Sequence, residues 1–393
     1  MTQSLRTRPS LKTSEPLGFK SCPPQSSQFL ILFRAASKYN FVVRYILLVF
    51  VGDILEKKRI IYIDVIRVLA MFMVVLAHAC ANRLSVRDGS LSWSVSNALV
   101  VITLIAVPLF FMISGATILN SRRTKDIPYL FKHRLVRVLV PFILWSIISA
   151  YSLRKIDHIF SYQDFFHSVL MMYHQPVLIA YWFIYPLVSL YLLSPLLKAM
   201  VENMDDTLLN YLLALWLVIS MLLPALVSAL PKNIGVYFDG YTVGKVVFSS
   251  SLGYFILGHK LTQTKHQRIS SLWTAVLIFI LVEVNVLIGF FGLKDSLKWL
   301  NIIQTINVPI IAALVFLLLK SFEGHYHNWF IKTIEVLAPL TYGVYLVHGL
   351  SIEIVSRMVG NNKFFIIFVL ATIASLIVIF ILSKIPFIKK IFL

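Results

Sequence analysis

The sequence predicts an all-α polytopic membrane protein with about ten transmembrane helices. Of its 393 residues, 59% are hydrophobic and only 13% are Asp, Glu, Lys or Arg, about half the charged fraction of an ordinary soluble domain. The hydrophobic residues form several runs of about 20 residues, and a helix of that length crosses the roughly 30 Å hydrocarbon layer of a bilayer. This composition excludes a water-soluble globular domain.

Apolar windows place the ten predicted helices in order along the chain. Three prolines, Pro176, Pro186 and Pro195, interrupt the region of the fourth helix, which makes its ends the hardest to define. The predicted spans cover residues 60–81, 95–119, 135–153, 177–200, 208–230, 241–261, 271–292, 298–320, 333–357 and 363–383.

The net charge of +19, from 36 Lys and Arg against 17 Asp and Glu, predicts the orientation of these helices. Basic residues collect in cytoplasmic loops, where they face anionic lipid headgroups. When both ends of the ten-helix unit are placed in the cytoplasm, Lys and Arg are about twice as frequent on that face as on the other. We therefore expect a multi-pass protein of the inner (cytoplasmic) membrane, with membrane lipids and not nucleic acid as partners.

Residues 1–55 differ in composition from the rest of the chain. They are polar and contain four prolines, and their apolar stretch 41–54 is interrupted by Arg44 and Asp53. That stretch is short for a span, and no A-x-A-like cleavage site follows it. We predict a dispensable extension over 1–55, disordered or interfacial, and a membrane domain over 56–393. An interfacial helix or an additional span within 1–55 is the alternative.

The first predicted span carries three polar side chains, Asp64, Arg67 and His78. Arg67 and His78 are 11 residues apart, so on a helix they share one face and lie roughly 16 Å apart along its axis. Asp64 is one turn before Arg67, close enough to hold its guanidinium. This face suits a long donor that is anionic at one end and reactive at the other, as a coenzyme A thioester is. The alternative is structural: Arg67 is neutralised by Asp64, and His78 finds a hydrogen-bond partner on a neighbouring helix.

Two arginines, Arg134 and Arg137, stand one turn apart at the start of the third predicted span. Two guanidinium groups side by side fit phosphate oxygens. Basic residues at a cytoplasmic helix end also serve topology alone, but Arg137 lies inside the apolar run, where a topology anchor is not needed.

Five motifs in order resemble those of the Acyltransferase 3 family of integral-membrane acyltransferases. Together they extend over residues 60–383, which leaves out the N-terminal extension. Within the family, the chain resembles most the stand-alone surface-polysaccharide O-acetyltransferases, such as the one that acts on enterobacterial common antigen. The motifs are residues 63–70 with the Arg67 and His78 pair, residues 107–115, Arg134 with Arg137, residues 181–183 and residues 342–348.

The resemblance implies transfer of an acyl group, most often acetyl, from cytoplasmic acyl-CoA to a hydroxyl of a cell-surface or lipid-linked glycan. His78 and Arg67 would be the catalytic residues, and Arg67, Arg134 and Arg137 would bind the phosphates of acyl-CoA. An imidazole can take the proton from a sugar hydroxyl as it attacks the thioester, and His78 could instead carry the acyl group covalently. The chain shows no zinc-ligand spacing, so we expect acyl-CoA as donor substrate, no bound cofactor and no metal. Further residues expected to line the cavity are Asp64, Ser114, Trp182, Tyr342 and His348.

Several polar residues have a structural explanation beside the functional one. His348 could equally be a core histidine hydrogen-bonded to another helix, and Ser114 with Gly115 could allow two membrane helices to approach closely. Other polar residues within spans need partners and could find them in one another: Lys245, Glu283, Asn285 and Asn307.

Two other functions remain open on spacing alone. A secondary transporter or glycan exporter also has ten to twelve helices and buried charges, but it predicts two halves with matching broken helices, and none are evident here. The second possibility is a membrane protein without catalytic activity, in which His78 and the arginines only provide hydrogen-bond partners for one another.

Overall fold

The structure is a computed structural model that describes residues 59–84, 89–230, 249–264, 270–291 and 300–385. It confirms the predicted fold class, because these residues are 86% helical and contain no strand. The helices belong to one compact unit, Ile60–Leu393. The extension predicted for residues 1–55 lies outside the described residues, and so does Lys245.

Apart from the three-residue helix Ile127–Tyr129, the described residues form fourteen α-helices, joined in places by short 3-10 or π-helical turns. They are α1 Ile61–Leu84, α2 Leu91–Thr103, α3 Ala106–Ile118, α4 Val136–Ile156, α5 Tyr162–Met171, α6 Ile184–Glu202, α7 Asp206–Trp216, α8 Leu223–Ala229, α9 Ser250–Gln263, α10 Ser271–Phe291, α11 Leu300–Ser321, α12 Asn328–Leu337, α13 Thr341–Val359 and α14 Phe364–Ser383.

Nine helical segments in the described ranges are long and apolar enough to cross a membrane, so the chain is a multi-pass membrane protein. They match nine of the ten predicted spans. The remaining one, predicted over residues 241–261, corresponds to α9, and residues 241–248 lie outside the described part of the chain.

The predicted span 333–357 is not one continuous helix. The amphipathic helix α12 ends at Leu337, a 3-10 turn occupies Ala338–Leu340, and α13 begins at Thr341. Pro339 explains the break, because proline has no N–H and its ring clashes with the preceding turn of an α-helix.

Polar contacts between helix ends agree with chain crossings that alternate in direction. Each contact joins two ends that the sequence places on the same membrane face. Which of the two faces is cytoplasmic rests on the distribution of basic residues. The contacts are Arg357 with Asp157, Lys260 with Asp206, and the Glu323 carboxylate with the Tyr62 backbone N–H.

The centre of the unit is held together by a close crossing of α3 and α9. A Cβ atom at Gly115 would overlap the carbonyl of Phe255, and one at Gly258 would overlap the carbonyl of Met112. The prediction that Gly115 allows two helices to approach is therefore confirmed, as expected where membrane helices associate by close packing of small residues. This crossing fixes α3, whose side chains line the candidate site.

Candidate active site

The helix α1 carries Asp64, Arg67 and His78, as the sequence predicts. The Arg67 guanidinium donates from Nη1 to Asp64 Oδ1 at 2.7 Å, and the Asp64 side chain is 13% exposed. Asp64 therefore holds the guanidinium in place from one turn away, which confirms the predicted pair. Because a partly buried guanidinium is neutralised by an adjacent carboxylate, Arg67 can remain close to the apolar interior.

Arg67 and His78 open into two different cavities. The smaller, of about 170 Å³, is lined by Arg67, Ser114 and Tyr342 among others. The larger, of about 750 Å³, is lined by His78 and Trp182 among others. The shared helical face therefore leads from a cationic compartment to one that contains an imidazole.

Three aromatic side chains, Phe110, Phe183 and Tyr345, line both cavities and stand between them. The Phe183 ring lies 5.8 Å from the Phe110 ring and 5.7 Å from the Tyr345 ring, measured between centroids. The Tyr345 hydroxyl donates to the Ala180 carbonyl, which fixes its ring against the 3-10 turn before α6. We call these three residues the aromatic wall.

His348 contacts His78 in the interior of the helical unit. Its ring centroid is 5.3 Å from that of His78, and its side chain is completely buried. Its Nδ1 bonds the carbonyl of Tyr345 in the preceding turn. His348 is a core histidine that contacts His78; like Asp64, it is not among the residues that line either cavity.

Arg134 and Arg137 do not share one environment. Residues Leu130–Leu135 form a π-helical turn, whose wider spacing changes the direction of successive side chains relative to an α-helix. Arg134 is half-buried and donates to Thr124 Oγ1 at 2.8 Å and to Ser121 Oγ at 2.9 Å, whereas Arg137 is exposed. The expectation that the two point the same way came from α-helical spacing, which the π turn interrupts.

Arg134 nevertheless belongs to the surroundings of the smaller cavity. Tyr191 lines that cavity, and both Arg67 and Arg134 lie close enough to its hydroxyl to act on it electrostatically. Two guanidinium groups from different helical segments therefore lie within electrostatic range of Tyr191. Charge and hydrogen-bond donors suited to an anionic ligand are concentrated at this end of the site.

The larger cavity also has polar residues that sequence reasoning did not select. Four of them line it: Ser250 and Ser251, at the start of α9, and Gln304 and Thr305, in α11. The run of three serines at 249–251 is a helix N-cap signal, and Ser249 does accept from the Leu252 N–H. The position of these serines beside a cavity depends on how α9 packs against other helices, which the N-cap pattern does not indicate.

Two of the other intramembrane polar residues satisfy each other outside the site. The Asn307 side chain donates from Nδ2 to Asn285 Oδ1 at 3.0 Å, and this pair joins α10 to α11. The prediction that such residues find partners in one another is confirmed for this pair, which has a structural role.

A family model described as an acyltransferase domain, that of the Acyltransferase 3 family, matches residues 60–384. The chain belongs to this acyltransferase family. The matched region contains both cavities, the aromatic wall and all nine site residues predicted from the sequence. No curated protein and no solved structure matches the chain. The acyltransferase activity therefore follows from the family.

Proposed function

We propose that this acyltransferase moves an acetyl group from cytoplasmic acetyl-CoA to a hydroxyl of a cell-surface or lipid-linked polysaccharide, within the inner membrane. The motifs shared with surface-polysaccharide O-acetyltransferases support the donor and the class of acceptor. The observation that carries the proposal is the division of one helical face between two cavities, with Arg67 in the smaller and His78 in the larger.

This arrangement suits the shape of acyl-CoA. The nucleotide end of the donor is anionic, and Arg67 and Arg134 provide guanidinium groups that bind phosphate oxygens through paired N–H donors. The thioester is at the far end of a narrow pantetheine arm. Arg67 and His78 are separated by roughly 16 Å along α1, at 1.5 Å per residue. The arm would pass the aromatic wall and bring the thioester to His78.

The larger cavity suits an acceptor that carries hydroxyl groups. Most of its lining is apolar, and a few polar side chains, including Ser250, Gln304 and Thr305, are available to orient a sugar. The half-exposed Trp182 presents an aromatic ring at the same cavity. A lipid-linked sugar has both characters, an apolar chain and a polar head.

The reaction in this arrangement needs one group that moves a proton. His78 takes the proton of the acceptor hydroxyl as its oxygen attacks the thioester carbonyl carbon. The carbon–sulfur bond then breaks, the acetyl group stays on the acceptor oxygen, and the proton from His78 goes to the departing CoA sulfur. General base catalysis of this type contributes about 10²- to 10⁴-fold to a rate.

The test is replacement of His78 by Ala, with His259→Ala as the matched control. His259 is a buried histidine of α9, 3% exposed, that does not line either cavity. Surface polysaccharide from cells with each variant is analysed by mass spectrometry, and membrane abundance is measured in parallel. We expect H78A to lose the mass of the acetyl group from the glycan and H259A to retain it.

Two results would contradict the proposal. Normal acetylation with H78A present at normal abundance would remove the catalytic role of His78. If H78A instead reduced the amount of glycan at the cell surface while the remaining glycan stayed fully acetylated, the protein would act as an exporter of this glycan and not as its acyltransferase.

A further inference from the structure

His348 has one ring nitrogen without a partner in a completely buried position. Its Nδ1 bonds the Tyr345 carbonyl, and because a carbonyl oxygen can only accept, Nδ1 carries the proton of the neutral ring. Nε2 is then an acceptor, and it has no hydrogen-bond partner among the described residues. Buried acceptors are almost always paired, so this one requires an explanation.

The adjacent polar ring is that of His78. The two centroids are 5.3 Å apart and the ring planes are inclined by 47°. His78 in its neutral form has one N–H to donate and one lone pair. Two imidazole rings joined by an N–H···N hydrogen bond have about this centroid separation. Because His78 also lines the larger cavity, its second nitrogen is available to a substrate there.

We infer that His348 is a positioning residue for His78: its Nε2 accepts the His78 N–H when substrates are bound and fixes the tautomer that can act as base. This inference rests on the proposed function. His348 is not proposed to touch substrate, because it is completely buried and does not line either cavity.

A second histidine suits this role better than a carboxylate at the same place. A carboxylate would put a negative charge into a completely buried position in the membrane, which is costly unless the charge is paired. A neutral imidazole held by the Tyr345 carbonyl provides the same acceptor without a charge. The backbone bond at Nδ1 determines which nitrogen faces His78, as groups that bond the second nitrogen of a histidine generally do.

The test compares His348→Gln with His348→Met in membranes that contain the full chain. Gln can place an acceptor oxygen near the position of Nε2, and Met has similar bulk without a good acceptor. Radiolabelled acetyl-CoA is added over a range of concentrations, and the label that enters the endogenous glycan fraction is counted. His259→Met is the matched control, because His259 is also buried and has an unpartnered Nδ1.

We expect H348M to lower kcat by about 10- to 100-fold, by analogy with the loss when a group that orients a metal-binding histidine is removed. KM for acetyl-CoA should stay within about twofold, since the phosphate-binding end is untouched. H348Q should recover most of kcat, and H259M should leave it unchanged. A purely structural role would lower abundance and would not separate kcat from KM in this way.

A normal kcat in H348M, or an equal loss in H348M and H348Q, would overturn the inference while leaving the proposed function standing. Absence of label transfer by wild-type membranes would overturn both.

The wild-type chain gives a second readout that does not depend on folding of the H348M variant. Nitrogen NMR of histidine-labelled protein in lipid, with CoA bound, distinguishes the tautomers of His78, assigned by difference against His78→Gln. We expect a single neutral tautomer with a hydrogen-bonded N–H. A mixture of tautomers at His78 would overturn the inference.

Discussion

Removal of the Phe183 ring should uncouple thioester cleavage from acyl transfer. The ring is 6% exposed and stands between the two cavities. Its replacement by Ala joins spaces of about 170 and 750 Å³ into one continuous cavity. Water can then reach a thioester that the wall otherwise helps to shield, since closure of an active site against water suppresses hydrolysis of reactive groups.

The structure also gives the expected cost in stability. Phe183 contacts the rings of Phe111 at 4.6 Å, Phe110 at 5.8 Å and Tyr345 at 5.7 Å. At about 0.5–1.5 kcal/mol for each of these three aromatic pairs, F183A should lose about 1.5–4.5 kcal/mol of packing. Phe316→Ala is the matched control: Phe316 is completely buried beside Tyr62 and lines neither cavity, so it should lose packing without uncoupling.

The assay measures CoA release with a thiol reagent and label incorporation into glycan in the same membranes. We expect the ratio of CoA released to acetyl transferred to rise several-fold in F183A and to remain near one in wild type and F316A. Phe183→Leu, which keeps an apolar side chain in the gap, should lie close to wild type. An unchanged ratio in F183A, with the protein present in the membrane, would refute the idea that the wall shields the thioester from water.

Three further changes test the rest of the site and the fold. Arg67→Lys keeps the charge but loses the forked donors, so KM for acetyl-CoA should rise about tenfold in a substrate titration; an unchanged KM would exclude Arg67 from donor binding. Arg134→Gln should raise the same KM more than Arg137→Gln, because Arg134 is half-buried near Tyr191 and Arg137 is exposed; the reverse order would contradict this. Gly115→Ala should lower the thermal stability of the purified protein, by an overpacking cost of about 1–3 kcal/mol, because its Cβ would overlap the Phe255 carbonyl; stability equal to wild type would show that the crossing can adjust.

The local features of the fold and the site could be predicted from the sequence. The Asp64–Arg67 pair and the shared face of Arg67 and His78 depend on helical spacing within one element, and that spacing is regular. The role of Gly115 follows from a general property of membrane helices, which associate through small residues. These predictions needed no knowledge of which helices are neighbours.

The features that the sequence did not reveal depend on contacts between distant segments. His78 and His348 meet only because α13 packs on α1, and nothing in their local patterns indicates that their rings are adjacent. The aromatic wall likewise combines α3, the turn before α6 and α13. The prediction that Arg134 and Arg137 lie side by side assumed α-helical spacing. The π-helical turn before Arg137 interrupts that spacing, and it leaves no clear hydrophobic period by which to recognise it.

The central claim is that one donor molecule extends from Arg67, past the aromatic wall, to His78. The most direct test is a cryo-electron microscopy map of the full chain in lipid with an acetyl-CoA analogue in which a methylene group replaces the thioester sulfur. The account predicts phosphate density near Arg67 and Arg134, a narrow arm beside Phe110, Phe183 and Tyr345, and the acetyl carbonyl next to His78. An analogue bound in a single cavity, with its acetyl group remote from His78, would contradict the account.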